Sequence, residues 1–347
     1  MKKTKSLLFT TFLFFPFSFF GCSKQAIDPT TVFTITEQGS TALEITGLTE
    51  YGKTLSEIIV PTTINGKEVI SIKERAFFDC DNLVSVDLSV KNIEDYAFAF
   101  CNNLQTVKLS SDISRKIISP TAFIDTAFYN DDNNWENDVL YIGNVLYKAK
   151  SSLLGDYIVK ENTDSISDNA FHDCKNIITI TIPSTVSHIG VAFDNCSSLT
   201  NIIVAEDNAG SYSSINGNLY LYALGGHFSR YAIGKSNDTF VVPSENIAYI
   251  DSYAFYKATS LKKVTISEGI TYIGSEAFRE CKNLTEITIP ASITEIEITA
   301  FLYCDNLTKI YYAGSEAKWN NIKNIESLLL NENTLIQFND GHDNANH

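Results

Sequence analysis

One phrase recurs along the chain and limits its possible folds more than any other feature. It reads Ile-x-x-x-Ala-Phe-x-x-Cys-x-x-Leu-x-x-Val/Ile-x-Leu/Ile. Phe77 and Phe98 are 21 residues apart, and Phe255, Phe278 and Phe301 follow one another at intervals of 23. A period in the twenties indicates a repeat solenoid, in which each coil buries its apolar side against its neighbours. The eight Ala-Phe pairs of the repeat are Ala76-Phe77, Ala97-Phe98, Ala122-Phe123, Ala170-Phe171, Ala192-Phe193, Ala254-Phe255, Ala277-Phe278 and Ala300-Phe301.

The spacing inside one copy predicts the shape of a coil. Ile287 and Ile289 alternate with polar residues, which indicates a short strand that proline at position 290 ends. Ile273 precedes Ala277 and Phe278 by four and five residues, which favours a single helical turn packed on the core. We therefore expect a mainly β stack of short parallel strands joined by short helical or extended returns.

A single coil cannot fold by itself. Burying six or seven side chains gives roughly 10–15 kcal/mol, whereas ordering about 23 residues costs roughly 1–2 kcal/mol each. The end coils accordingly need caps, which we assign to residues 33–69 and to the bulky residues between 311 and 338. Two insertions, at about residues 129–165 and 208–246, share a Gly-Asn-x-Leu-Tyr or Gly-Asn-Leu-Tyr motif. We interpret both as hairpin-bearing long repeats that project from the stack and rejoin it.

Residues 1–21 have the pattern of an export signal, with lysines at the start and an apolar stretch after them. Gly21-Cys22 at its end resembles the lipobox of bacterial lipoproteins, which implies lipidation of Cys22 and a bacterial membrane, at the outer membrane or cell surface. Ordinary secretory cleavage is the alternative. Residues 22–32 then form a tether, residues 33–338 the solenoid and residues 339–347 a disordered tail.

The repeat phrase resembles the BspA-type (Treponema pallidum-type) leucine-rich repeat of bacterial surface proteins over about residues 33–338. The Asn-Leu-Tyr motifs and the Tyr-Tyr-Ala-Gly-Ser and Ala-Lys-Trp segments near the end resemble that family too. The resemblance implies a leucine-rich-repeat stack, surface display and, for some members, adhesion to host proteins or other cells. It implies no enzymatic activity and no cofactor.

Repeat cysteines invite several interpretations. Thr126 and Ala258 replace the cysteine in two copies, which indicates a small inward slot where a thiol acts as an apolar side chain. Disulfides between stacked neighbours and a metal site are the alternatives. The six cysteines at this position are Cys80, Cys101, Cys174, Cys196, Cys281 and Cys304.

Two short motifs suggest chemistry that their context disfavours. His172-Asp173-Cys174 has the residue types of a nucleophilic site, but Cys174 occupies the inward slot and Asp173 a turn position. The Asp- and Asn-rich segment 131–134 lacks the glycine and terminal glutamate of a calcium loop. We therefore predict no catalytic and no metal-binding residues.

Outward strand positions form a candidate binding face, and the insertions supply further candidate contacts. The face is rich in threonine and mixed charge, so a merely solvated sheet surface is the alternative. Tyrosines of the insertions either contact a protein or glycan ligand or pack the hairpins onto the solenoid. The face comprises Asp87, Lys108, Thr181, Ile203, Thr265, Thr288 and Tyr311, and the insertion tyrosines are Tyr141, Tyr147, Tyr220, Tyr222 and Tyr231.

The sequence thus predicts a non-enzymatic, lipid-anchored surface protein that binds proteins or cells, including host matrix or other bacteria, as a monomer. A net charge of -15 and the lack of a basic cluster beyond the N-terminus disfavour nucleic acid as a partner. Two alternatives remain. One is a periplasm-facing envelope scaffold, and the other is a carbohydrate-active β-helix enzyme, which would need a groove of catalytic carboxylates.

Overall fold

The computed structural model describes residues 27–110 and 116–339, and over this span the chain is a β-solenoid. The predicted fold, a leucine-rich-repeat stack that is mainly β, is confirmed. The export signal, Cys22 and the tail from residue 340 lie outside the described residues. Part of the predicted tether is folded, because Pro29–Val32 forms a short helix, α1, whose first turn is capped by the Asp28 side chain.

The coils are organised in three blocks, each built from two sheets. In each block, one sheet contains two-residue strands of the regular coils together with longer strands of the cap or hairpin, and we call it the short-strand face. The other sheet contains only strands of four to seven residues, and we call it the long-strand face. In the first block the long-strand face is β3-β6-β8, and the remaining strands form the other sheet. Strands of this block are β1 (Phe33–Gln38), β2 (Ala42–Leu48), β3 (Glu57–Val60), β4 (Thr63–Ile64), β5 (Lys67–Ile72), β6 (Ser85–Leu88), β7 (Asn92–Ile93), β8 (Thr106–Leu109) and β9 (Ile117–Ile118).

The second block repeats this plan, with β13-β15-β17 as its long-strand face and β10-β11-β12-β14-β16 as the other sheet. It begins after helix α2 (Ala127–Asn130). Its strands are β10 (Trp135–Glu136), β11 (Val139–Ile142), β12 (Val145–Ala149), β13 (Leu154–Ile158), β14 (Ser165–Ile166), β15 (Asn176–Ile182), β16 (His188–Ile189) and β17 (Asn201–Val204).

The third block is the longest. Its long-strand face is β21-β23-β25-β27-β28, and its other sheet is β18-β19-β20-β22-β24-β26. Helix α3 (Glu316–Trp319) lies before the last strand, and 3-10 turns occur at Gly52–Thr54, Asp132–Asn134, Ala223–Gly225 and Ile325–Ser327. The strands are β18 (Tyr212–Ile215), β19 (Asn218–Leu221), β20 (His227–Arg230), β21 (Thr239–Val242), β22 (Tyr249–Ile250), β23 (Lys263–Ile266), β24 (Tyr272–Ile273), β25 (Glu286–Ile289), β26 (Glu295–Ile296), β27 (Lys309–Tyr312) and β28 (Leu335–Phe338).

The repeat phenylalanines line the core in three stacks. Rings of Phe255 and Phe278 are 4.7 Å apart at the centroids, and those of Phe278 and Phe301 are 5.3 Å apart. Phe77, Phe98 and Phe123 form a second stack, and Phe171 and Phe193 a third. The buried apolar residues fall into three clusters, each mainly in one block, and the first also includes Leu140, Ile142, Val145 and Tyr147 of the β11-β12 hairpin. The long repeats thus divide the phenylalanine spine that the sequence suggested into one stack per block.

The Ala-Phe segment is a pair of turns, and the prediction of a helical turn there is wrong. Arg75 and Asp79, which flank Phe77, both have φ of +58°, so the backbone doubles back instead of continuing as a helix. This conformation lets the Phe77 amide donate to the Ala97 carbonyl of the next coil at 2.8 Å. Phe255 and Ala277 make the same bond at 2.7 Å. A helical turn would direct these donors along its own axis and leave the stack without this hydrogen-bond ladder.

The two long repeats do not project, contrary to the prediction. The hairpin β11-β12 joins the sheet because β12 pairs in parallel with β14, and β20 of the second long repeat pairs likewise with β22. Apolar residues on these hairpins are buried in the core, among them Val145 and Phe228. The long repeats therefore start new blocks of the solenoid.

Bulky residues near the C-terminus pack together over the last coil of the third block. Trp319 is buried, with its ring 5.1 Å from that of Tyr312 and 6.4 Å from that of Phe338. These rings cover the end of the third apolar cluster, which would otherwise face water.

Candidate binding surfaces

The long-strand face brings the predicted binding residues together within each block but not across the molecule. Asp87 lies beside Lys108, Thr181 beside Ile203, and Thr265, Thr288 and Tyr311 form one row. Lys108, Ile203 and Thr265 are exposed and the other four are half-buried. Each row belongs to a different sheet, so the predicted continuous face consists of three separate patches.

Apolar side chains on this face were missed by the sequence interpretation. Ile59, Ile158 and Val241 begin the rows on β3, β13 and β21, and they are 72%, 71% and 60% exposed. The second block is the most apolar, because Leu154 and Ile178 are also exposed on it. For Ile59, Ile158 and Val241 the signal was present in the alternation of their strands, but these strands lie in the first cap and in the insertions, outside the copies that matched the repeat phrase.

The short-strand face carries an aromatic column that the sequence interpretation also missed. The rings of His227 and Tyr249 stack at 4.8 Å, and Tyr272 follows at 6.1 Å. The Tyr272 hydroxyl donates to Glu297 at 3.1 Å, and burial together with this carboxylate raises the pKa of Tyr272 to about 12. Two-residue strands give too short a pattern for sequence reading to detect such a column.

Three of the five insertion tyrosines pack in the core. Tyr147, Tyr220 and Tyr231 are buried, so the packing alternative holds for them and they cannot contact a ligand. The Tyr147 hydroxyl donates to the Pro120 carbonyl at 2.9 Å and accepts from the Phe123 amide at 3.2 Å.

The other two insertion tyrosines reach the surface. Tyr222 is 38% exposed. Tyr141 is half-buried, with its hydroxyl 3.2 Å from that of Tyr157 and the Lys160 ammonium 4.5 Å from its ring centroid. Among the predicted insertion contacts, Tyr222 and Tyr141 are therefore the two that a ligand could touch.

All six repeat cysteines are free thiols, and all except Cys80 donate to a backbone carbonyl of the preceding coil. Cys101 donates to the Phe77 carbonyl at 2.9 Å, and Cys281 donates to the Phe255 carbonyl at 3.1 Å. Cys80 is half-buried, and its sulfur is 3.9 Å from the Phe78 carbonyl. The prediction of a small inward slot for the repeat cysteine is confirmed for the buried thiols. The thiol also makes a hydrogen bond that an alanine cannot make.

His172-Asp173-Cys174 does not form a nucleophilic site. The His172 ring is 3.3 Å from Asp173, whereas the Cys174 thiol is buried and donates to the Lys150 carbonyl at 3.4 Å. Burial raises the pKa of Cys174 to about 11, which keeps the thiol protonated at neutral pH. Within residues 27–110 and 116–339, no group of three or more His, Cys, Asp or Glu side chains is arranged to hold a metal ion.

A cleft of about 590 Å³ separates the second and third blocks on the short-strand side. Arg230 lies at its base and is satisfied by the protein, because it donates to the Tyr253 carbonyl at 2.8 Å and is paired with Asp194. Tyr212 closes one wall by hydrogen bonding to the backbone of Ile189 at the free edge of β16. The Arg230–Asp194 pair and the Tyr212–Ile189 bonds join the second and third blocks.

The fold and its surfaces define the protein as a leucine-rich-repeat scaffold. The sequence profile of the BspA type leucine-rich repeat region matches it in six copies, over residues 50–143, 116–220 and 227–343, and the chain belongs to this family. BspA-type proteins are bacterial surface proteins whose repeats serve as scaffolds and are generally non-enzymatic. No curated protein sequence matches the chain.

Solved structures similar to this chain include a leucine rich cell surface protein of Faecalibacterium prausnitzii, at 20% identity and a TM-score of 0.41, with 84% of this chain and 96% of that chain covered. The pneumococcal vaccine antigen PcpA is 16% identical, with 89% and 97% covered and a TM-score of 0.35. The T. pallidum leucine rich repeat protein is 18% identical, with 87% and 96% covered and a TM-score of 0.23. In the part of the chain that the structure describes, no helix has the length and apolar character needed to span a membrane.

Proposed function

We propose that this protein is a cell-surface lipoprotein that binds proteins or cells through the long-strand face of its second block, with Cys22 as the lipid anchor. The observation that carries the proposal is the row Ile158, Thr181 and Ile203, which places two exposed isoleucines on either side of a threonine. Exposed apolar side chains grouped on a polar surface are typical of a contact site for another macromolecule.

Charge supports a protein or cell-surface partner over nucleic acid. The chain carries 41 acidic against 26 basic residues, and its phosphate-binding capacity is correspondingly low. The long-strand face of the third block pairs Lys263 with Glu286 at 3.0 Å, whereas the row Ile158, Thr181 and Ile203 of the second block contains no charged side chain. Apolar contact, with hydrogen bonds at its rim, is therefore the main source of affinity that this surface offers.

The test is binding of residues 27–347 to host extracellular matrix and to intact cells of other bacteria. Replacing Ile158 and Ile203 together by lysine should weaken binding by about tenfold or more, since it removes the apolar centre of the patch. Thr265→Lys with Thr288→Lys, on the third block, is the matched control and should leave binding unchanged. Equal loss in both pairs, or no binding by the parent protein, would refute the proposed surface.

Display and anchoring need a separate experiment in cells. Protease treatment of intact cells should remove the protein, and Cys22→Ser should release it from the membrane fraction because no thiol remains for lipid attachment. Full protection from protease would instead support the periplasm-facing scaffold.

A further inference from the structure

The first long repeat contains a groove whose lining includes Leu154 of the long-strand face but not Ile158, Thr181 or Ile203. Two adjoining hollows of about 590 and 610 Å³ share four lining residues, Asp132, Trp135, Lys150 and Ser152. Both hollows are shallow and open to solvent, so a ligand would lie along the surface and would not be enclosed. Because the hollows meet at shared residues, the groove suits an elongated ligand better than a single compact one.

Trp135 forms an aromatic platform at the centre of this groove. Its indole nitrogen donates to the Tyr129 carbonyl at 2.8 Å, and the Tyr129 ring packs against it at 5.3 Å, so the indole is held in one orientation. The ring is half-buried, whereas the other tryptophan, Trp319, is buried in the C-terminal cap. A fixed, partly exposed indole offers a flat apolar surface of the kind on which the C–H face of a sugar ring packs.

Polar groups surround this platform on both sides. In the first hollow the Asn137 side chain is exposed, and within the described residues its amide has no hydrogen-bond partner. Asp138 lies beside it and accepts from Ser152 at 2.9 Å. The second hollow adds His172 and Asp173. Amide, carboxylate, hydroxyl and imidazole groups together can both donate to and accept from hydroxyls.

The charges of the groove disfavour ionic ligands. Asp132, Asp138 and Asp173 are set against Lys148 and Lys150, so neither sign dominates and a phosphate or sulfate group finds no basic cluster. The ammonium of Lys150 is already 5.0 Å from the indole centroid and is paired with Asp132 at 2.6 Å. A cationic peptide side chain would compete with Lys150 for both the indole and Asp132, whereas an uncharged ligand can use the Lys150–Asp132 pair as donor and acceptor.

From this arrangement we propose that the groove around Trp135 binds a short neutral oligosaccharide. The Trp135 ring packs against one sugar ring, and Asn137, Asp138 and the Lys150–Asp132 pair bond to its hydroxyls. Leu153 and Leu154 line one end of the groove, but most of the lining residues are polar, which disfavours a lipid chain. The inference rests on the proposed binding function and specifies one ligand class for it.

Tryptophan fluorescence gives a direct test because the chain contains two tryptophans. In a Trp319→Phe background Trp135 is the sole reporter. The full chain is titrated with cellotriose, maltotriose, mannotriose and triacetylchitotriose, and the same protein is applied to an array of printed neutral glycans. We expect saturable quenching or a spectral shift with at least one glycan class. Calorimetry should show that Trp135→Ala and Asn137→Asp each weaken that binding by about tenfold or more.

Aspartate, like asparagine, tolerates the φ of +49° at position 137. Weaker glycan binding by Asn137→Asp would therefore not reflect unfolding. Tyr303→Ala is the matched control, because it removes a 54% exposed aromatic ring at another site and should leave glycan binding intact. Three results would overturn the inference: no response to any neutral glycan, unchanged affinity in both groove variants, or saturation by oligolysine alone. Matrix and cell binding that persists in these cases would leave the proposed function standing.

Discussion

At the scale of single residues, the repeat cysteine joins one coil to the next. The buried Cys281 thiol fills its slot and also bonds to the Phe255 carbonyl. We predict that Cys281→Ala lowers the free energy of unfolding by about 1–3 kcal/mol, from the lost bond and the small cavity. Cys80→Ala, at the half-buried site with the 3.9 Å contact, should cost less than about 1 kcal/mol. Urea denaturation followed by circular dichroism measures both, and equal costs would contradict a role for the hydrogen bond.

The buried thiols also predict how stability depends on pH. Burial raises the pKa of Cys196 to about 12 from an ordinary value of 9.0. Between these values the unfolded chain has lost the proton that the folded chain keeps, so the thiol's contribution is complete below pH 9 and declines up to pH 12. Each such thiol should lower stability by about 1.4 kcal/mol per pH unit in this window. Urea denaturation midpoints at pH 8 to 11 test this pH dependence. The midpoint of Cys196→Ala should fall less steeply with pH than that of the parent protein, and parallel curves would refute the role of this thiol.

At the scale of the element, the close spacing of successive coils sets where glycine is required. Gly226, which precedes β20, has φ of +77°, and an added Cβ would lie 1.6 Å from the Asn246 carbonyl oxygen of the next coil. Gly155 on β13 has a similar φ of +74° but nothing within 4 Å of that position. Both alanine variants bear the left-handed backbone cost, about 1–2 kcal/mol. Gly226→Ala should cost about 2 kcal/mol more than Gly155→Ala in thermal unfolding, and equal melting temperatures would show that the coils can separate at no cost.

The sequence predicted the repeat elements well and their exceptions poorly, for physical reasons visible at particular residues. Ile287 and Ile289 face the core as their alternation indicated, because a strand in a stack has a period of two. The turn at Phe77 was misjudged because the spacing of Ala and Phe fits a helix, while the competing inter-coil bond from Phe77 to Ala97 is not local in sequence. Likewise, the sequence could not decide between a surface and a core position for Tyr147, because its hydrogen-bond partners, Pro120 and Phe123, are distant in sequence. The Trp135 groove depends on a segment without repeat pattern and could not be predicted.

At the scale of the whole molecule, the division into three blocks should appear in its unfolding. Stability in a solenoid is approximately the sum of coil and neighbour terms. The third block has a five-stranded long-strand face and the largest apolar cluster, while the other two blocks have three-stranded faces. At the first junction the Phe123 amide bonds to the Tyr147 hydroxyl in place of the alanine carbonyl of the repeat ladder, which weakens the regular coupling there. We predict that hydrogen exchange in moderate urea leaves residues 263–312 protected after the first two blocks have exchanged.

Matched core variants make this prediction specific to the blocks. Val86 and Val264 are equivalent buried positions on β6 and β23, and alanine at either should cost about 2 kcal/mol locally. Val86→Ala should speed exchange within the first block and leave residues 263–312 unchanged, whereas Val264→Ala should speed exchange in the third block alone. If either substitution accelerated every protected amide equally, the chain would unfold as one cooperative unit. The three apolar clusters would then be a single core, coupled at the second junction through the Tyr212–Ile189 bond and the Arg230–Asp194 pair.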